Sequence, residues 1–258
     1  MRNDRSLTCG ALATILCATA LGAAPAMAQF PALGEAPFGH MRMLFERTFL
    51  NVDVLTLDVC FDEPTAAGIA EHARDGRTDA GDDAIAAAAI DAMTALGRIQ
   101  FRRNVSLGQF LGGIRDEQRK AVRAGLLADS TYRLIGDSLP VWFDFLDERG
   151  IHTDDQIVYV FRSDSLRTVY SDRDGSVLLD RIDVGEQRRT SVIATWFAPG
   201  SDFRQPLLRS LDPDGSSDPA ACVVPDNATG GGQENGGSGD RSLLRPGAPP
   251  NRRTGAAP

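Results

Sequence analysis

A carboxylate and an amide set into an otherwise apolar strand face are the first side chains in this sequence whose type and spacing point to chemistry. Residues 48–62 read T-F-L-N-V-D-V-L-T-L-D-V-C-F-D, and their Val, Thr, Leu and Phe content predicts a long strand. Alternation puts Phe49, Asn51, Asp53, Leu55, Leu57, Val59 and Phe61 on one face. Asn51 and Asp53 interrupt that face. Other chemistry-bearing residues are less organised. His40, His72 and His152 are scattered and there is no C-x-x-C, so the spacing of a usual zinc site is missing. Arg115, Glu117, Arg119, Lys120 and Arg123 share a helix face, which reads as a solvated surface with interspersed acids rather than a basic patch.

The elements that must position these residues follow from periodicity and punctuation. Residues 37–46 read as a lead-in with Met41, Met43, Leu44 and Phe45 as apolar positions. Pro64 ends the long strand, and the Ala-rich run after it predicts helices near 66–73 and 82–93, the second capped by Asp82. Residues 96–105 predict a partly exposed strand carrying Arg98, Arg102 and Arg103. Ser106 and Gln109 have capping-box spacing ahead of a helix with Leu107, Phe110, Leu111, Ile114, Ala121 and Val122 on its apolar side, ended by Gly125. Asp129 is expected to cap the next helix, which buries Tyr132, Ile135 and Leu139, is kinked or restarted at Pro140, and stops at Gly150. From Asp154 to Leu211 the pattern is a three-stranded meander closed by two short helices. Tyr159 shares a strand face with Ile157 and Phe161, Thr168 shares one with Leu166 and Tyr170, and D-R-D-G supplies a hairpin turn. Residues 188–197 predict a helix, Pro199-Gly200 breaks it, and Ser201 caps the last one.

The ends do not read as fold. Arg2 and Arg5, an uncharged apolar run over 7–21 and Ala26-Met27-Ala28 predict a signal peptide over 1–28, with a periplasmic or secreted product and no transmembrane segment after its removal. From Asp212 the composition turns to Gly, Pro, Ser, Asn and Asp, so 212–258 is expected to be a disordered acidic tail. One domain remains over 38–211. The net charge of −8 becomes near −9 once Arg2, Arg5 and Asp4 leave, which excludes nucleic acid as a natural partner. Cys9 and Cys17 leave with the signal. Cys60 and Cys222 either pair in an oxidising compartment or leave Cys60 as a small buried hydrophobe, and the residues alone keep both readings open.

The order of segments carries a resemblance. The meander, the helix with Trp196-Phe197 before its break, and F-R-Q-P-L-L-R-S-L together resemble the chalcone isomerase family, and more closely its bacterial chalcone isomerase-like branch of exported proteins. N-V-D-V-L-T-L-D-V looks like the strand that lines the family's ligand cleft, and the similarity runs over 41–211. The resemblance implies an α+β, open-faced β-sandwich: an antiparallel sheet, a helical layer on one face, and a cleft between them. The family's enzymes add a phenolate oxygen across an enone. They use an arginine on an early strand, a threonine on the cleft strand, and a tyrosine and an asparagine on a helix. The matching positions here hold Arg42, Asp53, Phe110 and Glu117. Phe110 has no hydroxyl to hold water, and a carboxylate at Asp53 repels the anion that the reaction uses.

The resemblance therefore implies a non-catalytic member that binds a small apolar or amphipathic, fatty-acid-like ligand. Arg42, Asp53 and Phe110 are its expected ligand-binding residues, and no catalytic residue, metal or cofactor is expected. Arg42 is expected to face the cleft and read a carboxylate, with Asp53 pairing with it or orienting the ligand. Two other readings stand beside this one: an intramolecular lyase of the chalcone isomerase type, and an envelope protein that binds a partner through its sheet face or acidic tail.

Overall fold

The computed structural model describes residues 39–46, 53–74, 78–211 and Cys222. The expected signal, Asn51, and all of the tail but Cys222 lie outside the described residues. Six strands form one antiparallel sheet in chain order: β1 (His40–Glu46), β2 (Asp53–Phe61), β3 (Ala95–Phe101), β4 (Gln156–Arg162), β5 (Ser165–Ser171) and β6 (Val177–Val184). The expected lead-in over 37–46 is thus a strand of its own. Met41 and Met43 are buried and alternate with exposed Arg42 and Leu44, a period of two in residues with weak strand preference. β1 pairs with β2 from His40–Cys60 to Phe45–Leu55.

Seven helices connect and cover the strands: α1 (Glu63–Arg74), α2 (Asp79–Asp91), α3 (Leu107–Arg123), α4 (Asp129–Trp142), α5 (Leu146–Arg149), α6 (Glu186–Phe197) and α7 (Arg204–Arg209). The Ser106–Gln109 capping box forms as the spacing predicts. Pro64 sits in the first turn of α1, where its missing N–H costs nothing. The Asp62 carboxylate accepts the Thr65 N–H and the Thr94 N–H, tying that turn to the start of β3. Three expected caps are corrected. Thr78, not Asp82, accepts the Gly81 N–H at the start of α2. Ala128 precedes α4, and Asp129 instead pairs with Arg133 one turn on. Phe203 holds the cap position of α7, with its N–H donated to the Ser201 hydroxyl. The D-R-D-G hairpin is present: Asp172 accepts the N–H groups of Asp174 and Ser176, and Gly175 takes a φ of 83°.

Alternation then decides the layers. Met41, Leu57, Ile99, Phe161 and Tyr170 point to one face and share a core with Ile69, Ile85, Ile135 and Phe197 from the helices. The other face has a smaller cluster of Cys60, Leu96, Val158, Val160 and Val169, against which Cys222 packs. This is the α+β open-faced sandwich expected from the sequence.

Two interactions fasten it. Cys60 and Cys222 form a disulfide across 162 positions of sequence, so of the two readings the pairing is the one found, and Cys60 is buried within the outer-face cluster. At the far end of the sheet, the fully buried Asp155 carboxylate accepts both Arg149 terminal nitrogens at 2.6 and 2.9 Å, the Tyr170 hydroxyl at 2.6 Å, and the His152 and Arg173 N–H groups. Burial alone would raise its pKa, but Arg149, Tyr170 and His152 outweigh it and the net direction is down.

Cys222→Ser should leave the fold intact and lower unfolding stability by about 2–4 kcal/mol, the usual contribution of a bridge that closes a long loop. Denaturant titration under non-reducing conditions checks this, and an unchanged midpoint would mean that the bridge constrains little. Asp155→Ala should cost about 3–5 kcal/mol, because Arg149 loses its buried partner. Since the folded pKa of Asp155 is depressed, its contribution is complete above about pH 5 and fades as pH falls through its folded value. The stability difference between Asp155→Ala and the parent protein should therefore narrow in acid.

Candidate functional site

A cavity of about 600 Å³ lies between the inner face of the sheet and helices α3, α4 and α6. Its floor carries Ile99 and Phe101 on β3 and Leu166 and Leu179 on β5 and β6; its roof carries Phe110 on α3 and Leu139 on α4. Phe110 stands edge-on to Phe101 at 5.8 Å and to Phe143 at 5.3 Å, so this end of the cavity is an aromatic wall.

The position of α6 explains why a cavity exists beside a packed core. One row of paired residues crosses the inner face as Met41, Val59, Gly97, Tyr159, Thr168 and Arg181. Trp196 of α6 sits on Gly97; a Cβ there would lie 2.3 Å from the indole. The same indole meets Phe161 and Tyr159 edge-on at 5.5 and 5.8 Å. Two buried arginines fix the helix further. Arg189 donates to the Ile90 and Ala92 carbonyls at the end of α2, and Arg204 bridges the Phe197 carbonyl at the end of α6 to Asp83. With α6 held so, Arg188, Ser191, Val192, Thr195 and Trp196 recur at helical spacing along the cavity wall.

Past Gly97 the row turns polar. Tyr159 and Thr168 are paired neighbours on the floor, and neither hydroxyl has a hydrogen-bond partner among the described residues. Burial pushes the Tyr159 hydroxyl well above the usual phenol range, so it stays a neutral donor. Next in the row, Arg181 grips Asp183 at 2.7–3.0 Å and stands 4.3 Å from the centre of the Trp142 ring. Arg188 stands 5.6 Å from the same ring.

The residues singled out from the sequence separate here. Phe110 lies on the cavity wall. Arg42 lies on the outer face of the sheet with its side chain 54% exposed; its Nε is 3.6 Å from Asp58, and its backbone N–H donates to Ser210. The expectation that Arg42 faces the cleft is corrected by the strand register, because the buried residues beside it are Met41 and Met43. Asp53 opens β2 opposite Glu46 at a register shift, and its side chain lies outside the described residues. Glu117 is not on a solvated face. It is buried, accepting from the Ser201 hydroxyl at 2.9 Å and from Lys120 at 2.7 Å, which joins α3 to the turn before α7. Tyr159, Thr168 and Arg188 were missed. For the first two, a polar group on an otherwise apolar strand face was the available signal, the same one that singled out Asp53.

Among the described residues no group of His, Cys, Asp and Glu could hold a metal ion, and no helix is long and apolar enough to cross a membrane. No protein-family model matches the sequence, and no curated protein matches it. Among solved structures, the chain is similar to the fatty-acid binding protein of Arabidopsis thaliana, with 14% identity over 75% of this chain and 92% of that one and a TM-score of 0.45.

Gly97→Ala should be severely destabilising, by several kcal/mol in line with overpacked cores, since the added methyl meets the fixed Trp196 ring. Pairing it with Trp196→Leu should recover part of the loss. Thermal melts of the two single variants and the double variant test this; strictly additive losses would show that the close approach is not what places α6.

Proposed function

We propose that this chain is a chalcone isomerase-like binding protein of the exported, non-catalytic kind, holding a small apolar or amphipathic molecule of fatty-acid type between sheet and helices. The cavity is the observation that carries this reading. Its volume of about 600 Å³ lies within the ~300–1,000 Å³ of small-molecule sites, and its walls combine aromatic and aliphatic surface with charged and polar groups. Protein interiors pack to crystal density, and empty space of this size forfeits contacts that an apolar occupant would restore. Phe110 supports a binding role, since it presents a ring without a hydroxyl at the position where the family's enzymes carry tyrosine. The Cys60–Cys222 bridge supports export, because such bonds persist in oxidising compartments.

Native mass spectrometry of the protein purified from its own cells, followed by denaturing extraction, should find a lipid-sized adduct. Palmitate supplied at a hundredfold excess over its Kd should stabilise the protein by about 2.7 kcal/mol, read as a rise in Tm. Gly113→Phe is the control. Gly113 lines the cavity and a Cβ added to it meets nothing within 4 Å, so the new ring should fill the space, abolish the adduct and the shift, and leave the fold intact. A clean parent mass with no shift, or a Gly113→Phe variant that still carries the adduct, overturns the reading.

A further inference from the structure

Six cationic side chains border the cavity, and their partners distinguish them. Arg119 is paired with Asp116, Lys120 with Glu117 and Asp202, and Arg181 with Asp183. Arg103 and Arg123 belong to exposed residues whose charge water screens. Arg188 alone combines a terminal guanidinium nitrogen out of contact with water and no hydrogen-bond partner or carboxylate among the described residues. A guanidinium stays charged, and withdrawing one from water without a counter-charge is expensive. Asp183, which also lines the cavity, takes its three contacts from Arg181 and none from Arg188. Trp142 offers its ring face but no oxygen.

The groups around it are of one chemical kind. Tyr159 and Thr168, paired neighbours on the floor of the same cavity, carry hydroxyls that are able to donate and have no hydrogen-bond partner among the described residues. Arg181, next in the same row, brings its own counter-ion and leaves the local balance to Arg188. A cation without a counter-ion and two hydroxyls, in a cavity that also offers the aromatic and aliphatic surface of Phe101, Phe110 and Leu139, match a molecule with one anionic end.

We propose that Arg188, with the hydroxyls of Tyr159 and Thr168 that line the same cavity, forms its head-group subsite and takes the carboxylate of a monoanionic amphiphile, whose apolar part lies against Phe101, Phe110 and Leu139. This rests on the binding function proposed above and adds the ligand's charge and its direction in the cavity. Arg188 reads the charge, the two hydroxyls complete the oxygen's hydrogen bonds, and Trp142 holds the guanidinium in place through its ring face.

The test compares two probes of one chain length, palmitate and 1-hexadecanol, by calorimetric titration at pH 8 into the parent protein and into Arg188→Met and Arg188→Lys. Methionine keeps much of the apolar stem and removes the charge. Arg188→Met should weaken palmitate by about 10- to 100-fold, the loss of a charge-assisted contact, and leave hexadecanol within about twofold. Arg188→Lys should recover part of the palmitate affinity. Two results overturn the subsite while leaving the cavity function standing: equal weakening of both probes by Arg188→Met, or a parent protein that takes the alcohol and not the acid. A parent protein that binds neither probe overturns both proposals. Circular dichroism of each variant, unchanged from the parent, confirms that binding rather than folding is being read.

Discussion

The approach of Trp196 to Gly97 is the contact on which the inner face depends. An indole can lie directly on a strand only where the strand presents no side chain, and Gly97 provides that place in a row that is otherwise Met41, Val59, Tyr159, Thr168 and Arg181. The ring wedged there holds α6 against the sheet, between Gly97, Tyr159 and Phe161. Packing at this point is tight, and the space that remains collects to one side, under α3 and α4. α6 runs close to β5 while its Trp196 reaches Gly97 on β3, and the cavity lies between this helix, α3, α4 and the sheet.

Buried polar groups keep that arrangement rigid. Arg189 and Arg204 saturate carbonyls at the ends of α2 and α6, and Glu117 gathers Ser201 and Lys120 from two different segments. Each is a charge removed from water and repaid with several hydrogen bonds, which holds its neighbours in one geometry. Asp155 does the same for the β4–β5 end of the sheet. Among the cations that border the cavity, Arg188 stands apart, because a buried nitrogen of its guanidinium has no hydrogen-bond partner among the described residues.

Much of the architecture was legible in the sequence. The β4–β5–β6 meander followed from alternation and the D-R-D-G turn, the start of α3 from Ser106 and Gln109, and the α6 break from Pro199-Gly200. These are local signals, set by propensity, period and hydrogen bonds within a few residues. The less accurate expectations had a common cause. β1 was missed because methionine has weak strand preference and the strand is made by its pairing with β2. Asp82, Asp129 and Ser201 are plausible caps in sequence, but each lies within a few residues of the actual helix start, the scale on which boundaries vary.

The candidate site divides along the same line. Phe110 was identifiable as an apolar helix residue, and Arg42 was singled out by its distance along the chain from Asp53. Distance along a chain does not determine which face of a sheet a side chain occupies; register does, and one residue of register reverses the face. Met41 and Met43 point inward, so Arg42 cannot. The sequence by itself determined most strand and helix types and the hairpin, because each depends on neighbours in the chain, and its composition determined the acidic balance. Tertiary structure alone decided that Tyr159, Thr168 and Arg188 line one cavity and that Cys60 meets Cys222. Those meetings join residues from 9 to 162 positions apart, and they are set by strand pairing and by the glycine that lets Trp196 of α6 reach the sheet.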